Sequence, residues 1–157
     1  MTMETTIQQS LMRMAIEEAR LAAAEGNYPF GAVIALRDGT VVARAHNTQN
    51  TGHDPTAHAE INIIRQLARS HLPEDFMFFY LICNAESCSM CFSAAIKAGI
   101  RHYVFGAPSE AHMEPYLTVS EVEKYCSQPL DITTGVLAEE CRLQIQDIRR
   151  AQGKLAQ

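Results

Sequence analysis

The 157-residue sequence predicts an α/β protein of three layers, α/β/α, with a five-stranded mixed sheet covered by helices on both faces. Three observations lead to it. Runs of strand length recur at 31–36, 76–82 and 102–105, and 76–82 is continuously apolar, as a strand buried on both faces is. Segments of helical periodicity alternate with them. An Asp38-Gly39 turn signal follows the first run and precedes a second strand-like segment, which places an antiparallel hairpin at one edge.

Residues 5–25 read as the first helix, with Met12, Ala15, Ile16, Ala19, Ala22 and Ala23 on one apolar face and Glu17, Glu18 and Arg20 outside it. Gly26-Asn27 ends it, and Pro29 forces an extended exit. Strands at 31–36 and 41–45 form the hairpin. A polar loop runs from Asn47 to Pro55, and Asp54 or Thr56 caps a helix over about 57–70 that buries Ile61, Ile64 and Leu67. The run 76–82 is the third strand and 88–98 a helix closed by Gly99. Residues 102–105 are the fourth strand. After a loop over 106–115 come a helix at 119–126 and a short strand at 130–133. The helix before that strand favours its parallel return. The last helix spans 136–152, with Arg149, Arg150 and Lys154 near its end, where cations suit the helix dipole. No repeat or linker interrupts the chain, so residues 1–157 are read as one domain.

The formal charge of −5 weighs against a protein that tracks a long stretch of nucleic acid, and towards a small-molecule substrate. No apolar run reaches the roughly 18 residues of a membrane span, and residues 1–10 carry no secretory signal, so a cytoplasmic protein without a membrane partner is expected. Five cysteines, an odd number, argue against a disulfide framework.

Two short motifs carry chemistry. His58-Ala59-Glu60 offers an imidazole and a carboxylate; Cys88-Ser89-Met90-Cys91 offers two thiols; 27 residues separate Glu60 from Cys88. Three donors of these types make a catalytic zinc site with one position left open. Cys88 and Cys91, at i and i+3 at a helix start, share a face where the helix dipole lowers thiol pKa. Glu60 lies about 200° round a helix from His58, so it reaches the site only where the helix end is aimed at the metal. From there it serves as the proton carrier of a hydrolysis. Taken alone, Cys-x-x-Cys is also a redox pair or half of a structural zinc knuckle, with His53, Cys83 or His102 as a fourth ligand. Cys83, Cys126 and Cys141 read as core thiols, and His46, His71, His102 and His112 as ordinary histidines.

The two motifs together resemble the H-x-E…P-C-x-x-C pattern of the cytidine deaminase superfamily, with Ser87 in the place of Pro. Residues 54–60 resemble its guanine deaminase and tRNA adenosine deaminase branches almost letter for letter. Residues 29–34 are similar to the guanine deaminase first strand, His46-Asn47 resembles the asparagine after the second strand, and 135–141 is similar to the last helix start of the tRNA branch. The resemblance covers about residues 8–152 and implies a cytidine-deaminase-like fold. It implies one zinc on His58, Cys88 and Cys91, with Glu60 as the catalytic proton shuttle. Phe30 and Asn47 are then base contacts, backbone groups of Ala59, Ser87 and Cys88 lie near the base, and the protein is a homodimer.

Between substrates the residues favour a free aminated nucleobase or related heterocycle, guanine-like or cytosine-like, that releases ammonia. The loop 109–114 is not basic, which disfavours tRNA; the Arg149, Arg150, Lys154 cluster reads as a solvated helix end. No aromatic follows Tyr125, which counts against guanine itself, since guanine deaminases close the pocket with one. The alternatives are adenosine in tRNA converted to inosine, a cytidine-type nucleoside, and a zinc-binding module without turnover.

Overall fold

The computed structural model describes residues 2–111 and 113–153; His112 and Lys154 therefore lie outside the described residues. Its elements in chain order are α1 (Thr5–Ala24), β1 (Gly31–Ala35), β2 (Val41–His46), α2 (Ala59–Leu67), a 3₁₀ turn (Pro73–Phe78), β3 (Tyr80–Ala85), α3 (Ser89–Ala98), β4 (His102–Ala107), α4 (Val119–Glu123), β5 (Asp131–Thr133) and α5 (Ala138–Ala151). The five strands make one sheet in the order β2-β1-β3-β4-β5. β1 is antiparallel to β2 and β3; β4 is parallel to β3 and to β5. The mixed sheet and the parallel return of β5 are as the element order predicts.

Alternation along the buried strands builds two cores. Ile34, Leu81, Cys83, Tyr103 and Phe105 face one way, onto Ile63 and Leu67 of α2 and Phe92 of α3. Val33, Ile82 and Val104 face the other way, onto Leu11, Met12 and Ala15 of α1 and Cys141 and Ile145 of α5. Gly31 lets α1 lie close on β1: a Cβ there would overlap the Ala15 carbonyl oxygen and Glu18 Cβ. No helix among the described residues is long and apolar enough to cross a membrane.

Four local expectations are corrected. The run 76–82 is not all strand. Pro73 opens a 3₁₀ turn, the Asp75 carboxylate accepts from the Leu72 N–H at 2.9 Å, and β3 begins only at Tyr80. Turn chemistry there outweighs apolarity. Helix α2 is capped by His58, not by Asp54 or Thr56. Asp54 instead closes a turn, its Oδ1 accepting from the Thr56 N–H at 2.8 Å. Packing against the sheet and α3 fully buries Ile63 and Leu67, while Ile61 and Ile64 are only partly buried. Glu18 is also buried, because Arg44 and His46 on β2 reach it at 3.0 and 2.7 Å.

Candidate active site

Two helix starts meet at the carboxyl end of β3. Each of α2 and α3 begins on a metal-type donor in extended conformation: His58 (φ −69°, ψ 157°) is the N-cap of α2, and Cys88 (φ −64°, ψ 165°) the N-cap of α3. Because His58 precedes the helix proper, the 200° separation expected on a helical wheel does not apply. His58 and Glu60 reach the same site from either side of the helix mouth. Cys91, in the first turn of α3, completes the group.

The Nδ1 of His58 lies 3.6 Å from Cys88 Sγ. Donor atoms of His58, Cys88 and Cys91 all fall within 4.8 Å of one another. Tetrahedral zinc with N and S ligands sets neighbouring donors about 3.5 Å apart, so the donors are near the required spacing. Among the described residues no fourth His, Cys, Asp or Glu donor joins the group. His102 is engaged elsewhere, with Asp131 at 3.1 Å. A structural knuckle, which closes all four positions, therefore finds no fourth ligand here; three donors leave the open position of a catalytic site.

The thiols are already polarised. A hydrogen bond with Cys91 brings the Cys88 thiol down to about 4 against opposing burial, with His58 adding to the effect. Cys91, holding that shared proton and buried, is pushed up. His58 is raised by its contact with Cys88, against burial.

Glu60 sits in the first turn of α2, 7% exposed. Burial raises its carboxyl pKa; its own backbone N–H and the Ser87 hydroxyl work the other way. The Ser87 Oγ donates to Glu60 Oε1 at 2.8 Å. A buried carboxyl of raised pKa is suited to take and return a proton near neutral pH.

A cavity of about 410 Å³ opens onto these groups, of a size that suits a small ring system. Its walls include His58, Glu60, Cys88, Phe30, Asn47 and Met90. The Asn47 N–H donates to the Phe30 carbonyl at 3.0 Å, so the hairpin presents both. Ala59 and Ser87 do not line the cavity; both are buried behind its wall.

Three further residues of the wall were not foreseen. Gln49 accepts from Asn47 Nδ2 at 2.6 Å, and its N–H donates to Asn47 Oδ1 at 3.0 Å, so it holds that amide in place. Asn84, on β3, accepts from the Gly31 N–H at 2.9 Å and donates to the Pro29 carbonyl at 3.0 Å, gripping both ends of Phe30. Arg149 is no solvated helix end. Its guanidinium lies 5.6 Å from the Phe30 ring centroid and donates to Glu110 at 2.8 Å. No spacing in the sequence points to contacts across 39 and 119 residues. Glu86 and Glu114 also border the cavity, where Arg149 is the one arginine or lysine among the described lining residues.

Residues 5–107 match the family model of the cytidine and deoxycytidylate deaminase zinc-binding region. The tRNA-specific adenosine deaminase of Bacillus subtilis is 32% identical over 132 residues, covering 83% of this chain and 81% of that protein. A solved tRNA:A34 deaminase, from a study of A-to-I editing at the wobble position of transfer RNA, superposes with a TM-score of 0.72 at 31% identity. It covers 86% of this chain and 98% of that one. The guanine deaminase of Nitrosomonas europaea superposes with a TM-score of 0.80 at 25% identity, over 90% of this chain and 84% of that one.

Proposed function

The chain belongs to the cytidine and deoxycytidylate deaminase zinc-binding family, and from that premise we propose that it hydrolyses the exocyclic amino group of a free aminated nucleobase or related heterocycle, with Glu60 as proton carrier. As a family member it is a zinc-dependent aminohydrolase, and His58, Cys88 and Cys91 are the residues that hold one zinc.

The observation that carries the reading is the buried Glu60 carboxyl group on the same cavity as His58 and Cys88, with Cys91 grouped beside those two donors. Zinc bound there supplies a Lewis acid that makes water a nucleophile near neutral pH. The ring carbon bearing the amino group gains the water oxygen. Glu60 takes a proton from that water and passes it to the adjacent ring nitrogen. It then takes the remaining hydroxyl proton as the C–O bond becomes a carbonyl, and gives it to the amine, which leaves as ammonia. Phe30 and Asn47 offer a ring face and an amide edge to the heterocycle. Glu86 and Glu114 make the mouth receptive to donor-rich amines and hostile to phosphate.

The relatives weigh for a second reading, adenosine in tRNA, since a tRNA-specific enzyme matches over most of both chains. The acidic mouth weighs against it. The experiment is ammonia release by the zinc-loaded protein across free bases, nucleosides and amino-heterocycles, beside inosine formation in anticodon stem-loops at several salt concentrations. Release from a free base, abolished in Glu60→Ala with zinc retained, supports the first reading. Inosine in the stem-loop alone, with a steep salt dependence, replaces it with the second.

A further inference from the structure

We propose that Ser87 is a positioning residue, whose hydroxyl holds the Glu60 carboxylate in the attitude that proton transfer needs. The inference rests on the deaminase reading above and deepens it. Ser87 is where the chain departs from the P-C-x-x-C form of its second motif. A proline at that place has no hydroxyl and no N–H.

The departure falls on the proton carrier itself. Ser87 is 1% exposed and Glu60 7% exposed, and Ser87 Oγ donates to Glu60 Oε1 at 2.8 Å. A serine hydroxyl has one proton to give, and Glu60 receives it. Ser87 lies in the turn between β3 and α3, one residue before Cys88, while Glu60 lies in the first turn of α2. The bond therefore joins the two helix starts that carry the metal donors. Oε1 is the oxygen that Ser87 holds, while Glu60 lines the cavity and Ser87 does not. A glutamate has three side-chain torsions, and a carboxylate displaced by about 1 Å loses on the order of 100-fold in rate. Fixing one oxygen from behind removes that freedom without occupying substrate space. The Ser87 side chain thus acts through Glu60 and not on the base.

The test is a double-variant cycle on the zinc-loaded protein, using whichever substrate is turned over. Ser87→Ala should lower kcat about 10- to 100-fold, the loss of one hydrogen bond to a charged group, with KM changed less than two-fold and one zinc per chain kept. In a Glu60→Gln background the same change should cost nothing more, because the group it acts through is already gone. A merely structural role would lower both backgrounds alike. Unchanged kcat in Ser87→Ala, a loss confined to KM, or an equal further loss in the double variant each overturns the proposal. Glu60→Gln should itself leave only a residual rate, on the order of 1,000-fold below wild type, on which the cycle is read; a rate within about ten-fold of wild type overturns instead the reading on which the proposal rests. A second arm needs no substrate: the crystal structure of zinc-loaded Ser87→Ala should show the Glu60 carboxylate displaced or in two positions, and an unmoved single carboxylate overturns the proposal.

Discussion

Asn84→Ala should destabilise the protein by about 2–4 kcal/mol and open the ring-binding wall of the cavity. The figure follows from the two bonds of this amide, both buried: the Gly31 N–H gives to its Oδ1 at 2.9 Å, and its Nδ2 gives to the Pro29 carbonyl at 3.0 Å. Truncation to alanine leaves one backbone donor and one backbone acceptor without partners. Each unsatisfied buried group costs about 1–3 kcal/mol, and water entering from the cavity recovers part of the sum. For a chain of this length about 3 kcal/mol lowers the melting temperature by about 6–12 °C. Asn84 grips the residues on both sides of Phe30, so KM should rise while kcat changes less. Urea unfolding, read by circular dichroism, gives the stability; initial rates over a range of substrate give the split. Asn84→Asp keeps the acceptor for Gly31 but sets a second acceptor against the Pro29 carbonyl and buries a charge, so at neutral pH it should cost at least as much as Asn84→Ala. A loss below 1 kcal/mol with KM unchanged would refute the claim that this amide holds the wall.

Three other outcomes follow from the geometry. Cys91→Ser should lower bound zinc below one per chain and abolish turnover, as metal analysis of the purified variant would show; full zinc occupancy would remove Cys91 from the ligand set. Stability should fall as pH rises past 6.5 and through the raised pKa of His46. Burial opposes its charge, but the Glu18 and Glu25 carboxylates at 2.7 and 2.9 Å outweigh that and raise its folded pKa above the ordinary 6.5. Its contribution is thus complete below pH 6.5 and lost as pH passes the folded value, with Arg44 left on Glu18. His46→Gln should flatten the melting temperature between pH 6 and 9, and an unchanged slope would sink the assignment. Arg149→Ala should cost the fold about 1 kcal/mol, since its cation–π contact and ion pair are only partly buried. It should nevertheless raise KM several-fold by freeing Phe30 and the loop at Glu110; an unchanged KM would make Arg149 a bystander.

Much of the fold was legible because local chemistry and burial agreed. The hairpin, the alternation of strands and helices and the parallel β5 each follow from short-range patterns. The metal donors were legible for a related reason: each pair sits within four residues of itself, at a helix start that turn residues announce. Glu60 was legible by its nearness to His58, although the physical basis differs from a helical wheel, since His58 is a cap. The misreadings occur where a partner distant in sequence sets the outcome, or where a local rule overrides apolarity. Glu18 looks like a surface residue until β2 brings Arg44 and His46 to it. Residues 76–79 look like strand until Asp75 ties down the 3₁₀ turn that runs through Phe78.

The sequence by itself determined the chemistry of this protein: an imidazole, two thiols and a carboxylate, in two short motifs that are ambiguous apart and specific together. Only the tertiary structure decided how that chemistry is aimed. The Ser87 hydroxyl meets Glu60 across 27 residues, Asn84 grips both sides of Phe30 across more than 50, and Arg149 reaches Phe30 across 119. Contacts at such separations leave no periodicity in the chain, because they are made by the packing of sheet and helices and not by the spacing of residues along either one.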